Sequence, residues 1–271
     1  MSDPWRYLIT PPARGAWNMA VDEAVLETTS YGEALPTLRL YAWNPACLSL
    51  GFAQSFKDVD VARLKSHGWD VVRRTTGGRA ILHVDELTYS VATPVNEPRM
   101  AGSVLESYQR LAGALIAALR ALGLPVEMET EAPPVNAPKG PVCFEVPSAY
   151  EIVVDGKKLI GSAQTRKKSG ILQHGTLPLH GDLTRITQAL VFADEQERLA
   201  AGQKLLSRAV TAEMVTGRVI SWESAAAAFV LAFEDWLGLR LEPGELSPAE
   251  LARAEELVQT KYNHPSWTER S

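Results

Sequence analysis

The strands that this sequence predicts come in groups between helices, and that grouping restricts the possible folds more than any other feature. Runs rich in β-branched and aromatic residues predict strands, and apolar residues repeated every three or four positions predict helices. The predicted strands are 37–43, 47–52, 70–74, 79–83, 86–93, 149–154, 157–162 and 171–179. The predicted helices are 15–28, 103–122, 195–215, 222–237 and 248–260. Because helices and strands do not alternate strictly, the expected class is α+β rather than a doubly wound parallel sheet.

The length of 271 residues permits one large core that buries about three quarters of the surface of the unfolded chain. No stretch rich in Pro, Gly and Ser, and no block of like charge, divides the chain into two periodic halves. Four prolines between residues 131 and 141 are interpreted as a long loop within one domain. We therefore expect one domain over residues 1–271, with a helical C-terminal part from about residue 195.

Charge and cysteine content exclude several classes of protein. A formal net charge of −5 argues against a general nucleic-acid binder, which needs excess positive charge facing the phosphates. The chain has no targeting pattern at its start and no run of eighteen uncharged apolar residues, so we expect a cytoplasmic protein without a membrane segment. Two cysteines, Cys47 and Cys143, are too few for a disulfide framework and fit a reducing compartment.

Cys143 is the candidate nucleophile. A lone cysteine is most often a buried residue, and Cys47, inside an apolar strand pattern, is interpreted in that way. Cys143 differs because it lies between Pro141 and Pro147 on a predicted loop, just before a cationic hairpin. A thiol needs a neighbouring cation or base to act as a nucleophile at neutral pH.

Asp155-Gly156 is the strongest short signal for a two-residue β-hairpin turn. Such a turn would pair residues 154 with 157, 153 with 158, and 152 with 159. One face then carries an apolar set, and the other carries Glu151, Val153, Lys158 and Ile160. We interpret Lys158 as a cleft-facing cation that could favour a thiolate and stabilise an oxyanion. The alternative, a solvated surface lysine, stays open at this point.

Residues 73–80, Arg-Arg-Thr-Thr-Gly-Gly-Arg-Ala, form a glycine-containing turn between predicted strands. The turn lacks the Lys-Ser/Thr ending of a P-loop and the spacing of a dinucleotide fingerprint. Gly77 and Gly78 make either a simple turn or a close approach of backbone to a ligand beside Arg74. His83 and His174 could position an acyl carbonyl or a proton, but neither fits a metal-ligand pattern, so no metal is expected.

Several segments together resemble the lipoate and biotin protein ligase family. They are residues 18–24, 38–43, 50–54, 73–83, 155–164 and 173–176, with Lys261, Tyr262 and Trp267 similar to the closing motif of the family. ATP-dependent lipoate ligases usually carry a third glycine at the position of Arg79 and lack a cysteine at that of Cys143. In both respects the chain resembles the octanoyltransferase branch of the family, whose cysteine motif is similar to residues 143–148.

The resemblance implies an α+β catalytic domain with a mostly antiparallel mixed sheet flanked by helices. It also implies transfer of octanoate from acyl carrier protein to the lysine of a lipoyl domain, such as that of the glycine-cleavage H protein, in lipoate biosynthesis. Cys143 would carry the acyl thioester, and Lys158 would be the active-site lysine. The implied acyl and substrate-binding residues are Arg74, Gly77, Gly78, His83, Ser162 and His174, and no cofactor or metal is implied.

Three other functions remain open at this stage. An ATP-dependent ligase would activate free octanoate or lipoate. An amidotransferase of the same superfamily would move octanoate between two lipoyl domains and would also use a cysteine. A non-catalytic module would bind acyl carrier protein without forming an adduct on Cys143.

Overall fold

Eleven strands form two sheets within residues 3–129 and 151–270, which are the residues that the computed structural model describes. The strands are β1 (Asp3–Ile9), β2 (Thr37–Tyr41), β3 (Cys47–Leu50), β4 (Asp70–Arg73), β5 (Ile81–His83), β6 (Glu86–Pro94), β7 (Glu127–Met128), β8 (Ile152–Val154), β9 (Lys157–Arg166), β10 (Gly170–Pro178) and β11 (Leu239–Pro243). The larger sheet has the order β11-β1-β2-β6-β10-β9-β8-β7, and the smaller sheet has the order β4-β3-β5. Strand β1 is parallel to β2 and β11, β3 is parallel to β4, and the other pairs are antiparallel. The predicted α+β class with a mostly antiparallel mixed sheet is confirmed.

Helices cover both faces of the larger sheet. The described α-helices are α1 (Gly15–Ser30), α2 (Val61–His67), α3 (Val104–Ala121), α4 (Glu195–Leu206), α5 (Ala212–Thr216), α6 (Trp222–Leu237), α7 (Pro248–Leu257) and α8 (Pro265–Thr268). Helices α3 and α6 pack together on one face, where Tyr89 contacts Phe229 and Phe233. Helices α1 and α7 pack on the other face. None of the described helices is long and apolar enough to span a bilayer.

Several predicted elements need correction. Strands β1, β7 and β11 were not predicted. Strands β1 and β11 pair with each other from opposite ends of the chain, and β7 has only two residues. The single helix predicted over residues 195–215 is wrong, since α4 ends at Leu206 and α5 begins at Ala212. Between them the backbone of residues 208–210 bonds to that of Lys158 instead, through Lys158 N to Arg208 O and Val210 N to Lys158 O. The expected loop at residues 131–141 lies outside the described residues.

The predicted hairpin forms, with one change of register. Val154 pairs with Lys157 and Val153 with Lys158, as the two-residue turn at Asp155-Gly156 predicts. The predicted pair of Ile152 with Leu159 is wrong, because a bulge shifts the register and Ile152 pairs with Ile160. The pairs nearest to the turn follow from its geometry, whereas a bulge further along depends on packing that the turn does not determine.

Glu23 of α1 connects this helix to the C-terminal segment. Its carboxylate accepts hydrogen bonds from Lys167 Nζ at 2.7 Å, Lys261 Nζ at 2.6 Å and the Tyr262 hydroxyl at 2.7 Å. Burial alone would raise the pKa of Glu23, but these three donors outweigh it and lower the pKa to about 2. The ionised form of Glu23 is therefore favoured by the folded state.

We expect Glu23→Gln to destabilise the protein by about 1–3 kcal/mol at pH 7, because two lysines lose an ionised acceptor. The pKa is lower in the folded protein than its ordinary value of 4.5, so this contribution is present above pH 4.5 and is lost as the pH falls towards 2. Denaturant unfolding of both proteins at pH 7 and pH 3 measures the difference. A gap in unfolding free energy that stays constant between these pH values would contradict the assignment.

Candidate active site

A cavity lined by residues of both sheets contains most of the site residues predicted from the sequence. The space between its walls, open mouth included, is about 430 Å³. A cross-strand row of the larger sheet, on the face covered by α1, forms its floor: Gly161, Thr176, Thr88 and Tyr41. Ser49, Ile81 and His83 of the smaller sheet line the cavity as well. Arg74, Gly78, Ser162 and His174 complete the predicted residues that line it.

Arg74 shapes the glycine turn beside the cavity. Its guanidinium donates hydrogen bonds to the carbonyl oxygens of Gly77 and Arg79 and to both oxygens of Ser49, at distances between 2.8 and 3.2 Å. Gly78 has a φ of +91°, which favours glycine. A Cβ atom on Gly51 would lie 2.0 Å from the Gly78 carbonyl oxygen, so the turn packs directly on the backbone. The predicted turn is thus a rigid wall, and Gly77 contributes to it as an acceptor for Arg74.

His83 belongs to a buried chain of hydrogen bonds. Its Nε2 lies 2.7 Å from Ser49 Oγ, and its Nδ1 lies 2.7 Å from Glu86 Oε1. The same Glu86 oxygen accepts from the Thr88 hydroxyl, which in turn accepts from Trp43 Nε1 at 2.7 Å. The Trp43 ring stacks on the imidazole with a centroid separation of 4.0 Å. Arg74 Nη1 donates to Ser49 Oγ at 3.0 Å, so the chain continues from His83 to the guanidinium.

His174 connects the turn to α1. Its Nε2 lies 2.6 Å from Thr76 Oγ1, and its Nδ1 lies 3.5 Å from Asp22 Oδ2. Burial lowers the pKa of His174, although Asp22 opposes this effect, and the imidazole is therefore neutral at pH 7. A neutral ring donates one hydrogen bond and accepts another, and it adds no charge to the cavity.

Asp22 is a residue of this site that the sequence analysis did not single out. It is 2% exposed and accepts hydrogen bonds from Arg39 Nη1, the Tyr41 hydroxyl and Ser90 Oγ. Burial would raise the pKa of Asp22, but the charge of Arg39 and the contact with His174 outweigh burial and lower it. The sequence signal was the pair Asp22-Glu23 between the apolar residues 19–21 and 24–26 of α1, since a buried carboxylate costs free energy unless it is paired.

Lys158 does not line this cavity. It lies in an adjacent groove with Glu151, Tyr108 and Ile160, and its Nζ is 2.5 Å from Glu151 Oε1. Lys158 is 6% exposed and Glu151 is 9% exposed. The alternative of a solvated surface lysine is therefore wrong. Glu151 and Lys158 line the same groove, and the sequence had predicted that both lie on one face of the hairpin.

Ser162 and Ala163 of β9 line both the cavity and the groove. The Ser162 side chain lies on the α3 and α6 face, where its Oγ is 2.8 Å from the hydroxyl of Tyr89. Ala163 pairs with His174 and so lies on the α1 face. Burial raises the pKa of Tyr89 to about 12, so its hydroxyl remains a donor at neutral pH. The two spaces meet at Ser162 and Ala163, and Gly161 beside them lines the cavity alone. We call the segment 161–163 the β9 junction.

The two cysteines and the possible metal ligands remain to be placed. Cys143 lies outside the described residues. Within residues 3–129 and 151–270, no three His, Cys, Asp or Glu side chains form a group that could hold a metal ion. Cys47 is fully buried, as the sequence analysis expected, and burial raises the pKa of its thiol well above the ordinary value.

Comparison with known families identifies the class of protein to which this fold and cavity belong. The model of the lipoyl protein ligase A/B catalytic domain matches residues 14–234. The chain belongs to this family. It is 42% identical to octanoyltransferase LipM of Brevibacillus brevis over 98% of each chain. It is also 43% identical to octanoyltransferase LipM of Kyrpidia tusciae, with the same coverage.

Solved structures of lipoate protein ligases share the fold. A bipartite lipoate protein ligase of Thermoplasma acidophilum superimposes with a TM-score of 0.80 at 24% identity, covering 98% of this chain and 96% of the other. Lipoate-protein ligase A bound with ATP superimposes with a TM-score of 0.79 at 23% identity, covering 98% of each chain. At this identity the likeness extends to the fold alone.

Proposed function

We propose that this protein is an octanoyltransferase of lipoate biosynthesis that carries its acyl group as a thioester on Cys143. The observation that carries the proposal is the similarity, over nearly the full length, to proteins named octanoyltransferase LipM. The cavity supports it, because a narrow space with apolar walls beside a buried lysine suits an acyl group with one reactive end. We propose one catalytic domain over residues 1–271, acting in the cytoplasm, where a free thiol persists.

The proposed reaction consists of two acyl transfers. The Cys143 thiolate attacks the octanoyl thioester of the donor, the donor thiolate leaves, and a proton returns to it. The neutral amine of the acceptor lysine then attacks the acyl-enzyme, so that a C–N bond forms, the C–S bond breaks and the amine proton passes to the released thiolate. The first exchange is between similar thioesters, and the second forms a more stable amide.

Lys158 supplies positive charge to both steps in this proposal. The ammonium favours the thiolate form of Cys143 and stabilises the oxyanion of each tetrahedral intermediate. Glu151 holds the ammonium in place at 2.5 Å, and the low exposure of both groups excludes water that would screen the charge. This positioning gives Lys158 a defined orientation before substrate arrives.

The acyl chain extends from the β9 junction across the floor of the cavity. The floor spans the distance from β9 to β2, with β10 and β6 between them. This distance is three strand spacings, roughly 14 Å. Met19, Tyr41 and Trp43 line the part of the cavity nearest β2. Each buried CH₂ of the acyl chain contributes about 0.8 kcal/mol, so filling this length favours a chain of medium size.

The proposed donor is octanoyl-acyl carrier protein, and the proposed acceptor is a lipoyl-domain protein such as the glycine-cleavage H protein. The structure of the Thermoplasma ligase is described together with an E2 lipoyl domain, which supports a lipoyl domain as the acceptor in this family. The proposal includes no cofactor, no metal, no nucleic acid and no membrane.

Intact-protein mass spectrometry tests the proposed function. After incubation with octanoyl-acyl carrier protein we expect one octanoyl group on the enzyme, and after addition of H protein we expect the same group on the acceptor. Octanoyl-loaded H protein should be a poorer donor than octanoyl-acyl carrier protein. The opposite preference would identify an amidotransferase. Acylation of H protein from free octanoate and ATP, with no adduct on the enzyme, would contradict the proposal and establish a ligase.

A further inference from the structure

Thr176 places a buried hydroxyl group without a partner at the floor of the cavity. The residue lies within β10 and is 1% exposed. Among the described residues its Oγ1 has no hydrogen-bond partner, although it lines the cavity. The adjacent polar groups of the floor are satisfied: Thr88 bonds to Trp43 and Glu86, and His174 bonds to Thr76. Because a buried hydroxyl without a partner costs free energy, its presence in a ligand cavity points to a partner on the ligand.

The position of Thr176 indicates which part of an acyl group it meets. Thr176 pairs across the strands with Gly161, the first residue of the β9 junction. His174, which also faces the cavity, pairs with Ala163, a residue that lines both the cavity and the groove of Lys158. Both β10 residues thus lie beside the β9 junction. His174 already contacts Thr76 and Asp22, whereas Thr176 has no partner among the described residues. An octanoyl group has a single polar atom, the carbonyl oxygen, at the end that reacts. The hydroxyl and the carbonyl oxygen are complementary as donor and acceptor.

We infer that the hydroxyl of Thr176 donates a hydrogen bond to the carbonyl oxygen of the bound acyl group. This inference rests on the proposed function and adds to it a substrate-contacting residue. When the thiolate or the amine adds to the carbonyl carbon, the oxygen gains negative charge, and a hydroxyl that donates to it binds the charged form more strongly. Thr176 thus acts mainly on the rate of acyl transfer, and less on the affinity for the donor.

Replacement by valine separates this role from a structural one. Thr176→Val keeps the shape of the side chain and removes only the unpaired hydroxyl, so we expect an unchanged or higher melting temperature. The single-turnover rate of acyl-enzyme formation should fall about 10- to 100-fold, with a smaller rise in KM. Thr176→Ser keeps the hydroxyl and should recover most of the rate. A fall in rate that is matched by a fall in melting temperature would overturn the inference.

Thr93 provides a matched control. It is also a buried threonine, 0% exposed, whose Oγ1 has no partner among the described residues, but it does not line the cavity. Thr93→Val should therefore leave the rate of transfer unchanged. Equal rate losses in the two valine variants would overturn a specific role for Thr176.

Binding of octanamide distinguishes failure of this inference from failure of the proposed function. Octanamide carries the same chain and carbonyl but cannot transfer an acyl group, and calorimetry should show about tenfold weaker binding to Thr176→Val than to the unsubstituted protein. Weaker binding without any octanoyl transfer by the unsubstituted protein would reject the proposed function and keep the contact. Normal octanoyl transfer with equal octanamide binding and equal rates in both proteins would reject the contact.

Discussion

Cys143→Ala should abolish the octanoyl adduct and reduce octanoyl transfer to less than about one thousandth of the original rate. Removing the atom that carries the acyl group leaves no route for the first step, and binding of donor and acceptor alone supplies only a residual rate. The adduct on the unsubstituted protein should be released by hydroxylamine at neutral pH, as expected for a thioester. Intact mass spectrometry and a transfer assay on the same samples measure both effects.

Cys47 supplies the control for this experiment, because the chain contains only two cysteines. The Cys47→Ala variant keeps Cys143 as its single thiol, so an adduct on this variant must lie on Cys143 if hydroxylamine removes it. Cys47 is fully buried, and a Cβ on Gly15 would lie 2.3 Å from its Sγ, which leaves no room for an acyl group. Transfer that survives in Cys143→Ala, or an adduct that depends on Cys47, would overturn the assignment.

Lys158→Met should slow octanoyl transfer by about 100-fold or more, because the ammonium that favours the thiolate and stabilises the oxyanion is lost. The same change should cost stability of about 3–5 kcal/mol, since Glu151 loses a buried cation at 2.5 Å. Lys157→Ala is the matched control. Lys157 is the neighbouring residue at the turn and is not among the residues that line the groove, so its loss should leave the transfer rate unchanged.

A double variant separates the two effects of Lys158. Lys158→Met combined with Glu151→Leu removes both charges, and replacing a buried ion pair with apolar side chains is often neutral for stability. We expect the double variant to regain most of the lost unfolding free energy but none of the lost transfer rate. Recovery of transfer in the double variant would mean that Lys158 serves only to neutralise Glu151.

The local features of the site could be predicted from the sequence, and its assembly could not. The turn at Asp155-Gly156 determines the pairs closest to it, so the side of the hairpin that carries Val153 and Lys158 follows from the alternation of residues along a strand. The change of register at Ile152 depends on a bulge, which short-range signals do not determine. The pattern also identifies His83 and His174 as polar residues among apolar ones.

Tertiary contacts account for most of what the sequence missed. Ser49 looks like an ordinary strand residue, and its hydrogen bond to His83 arises only because β3 and β5 are neighbours in the smaller sheet. Arg74 resembled a ligand-binding cation, yet its donors bind backbone carbonyls of the glycine turn. The role of Asp22 could not be predicted from α1 alone, because its partners come from β2, β6 and β10. Long-range pairing of this kind leaves no periodic trace in the chain.

Successive residues of β9 point to opposite faces of the sheet, so two sets of positions contact different parts of the site. The even-numbered positions of Lys158 and Ser162 lie on the side of α3, whereas the odd-numbered positions of Gly161 and Ala163 lie on the side of the cavity. The two sides meet at Ser162 and Ala163. Protein engineers could therefore alter acyl preference at odd-numbered positions while leaving the even-numbered ones untouched. A library that randomises one set at a time would explore substrate range and turnover as nearly separate properties, although both belong to a single strand.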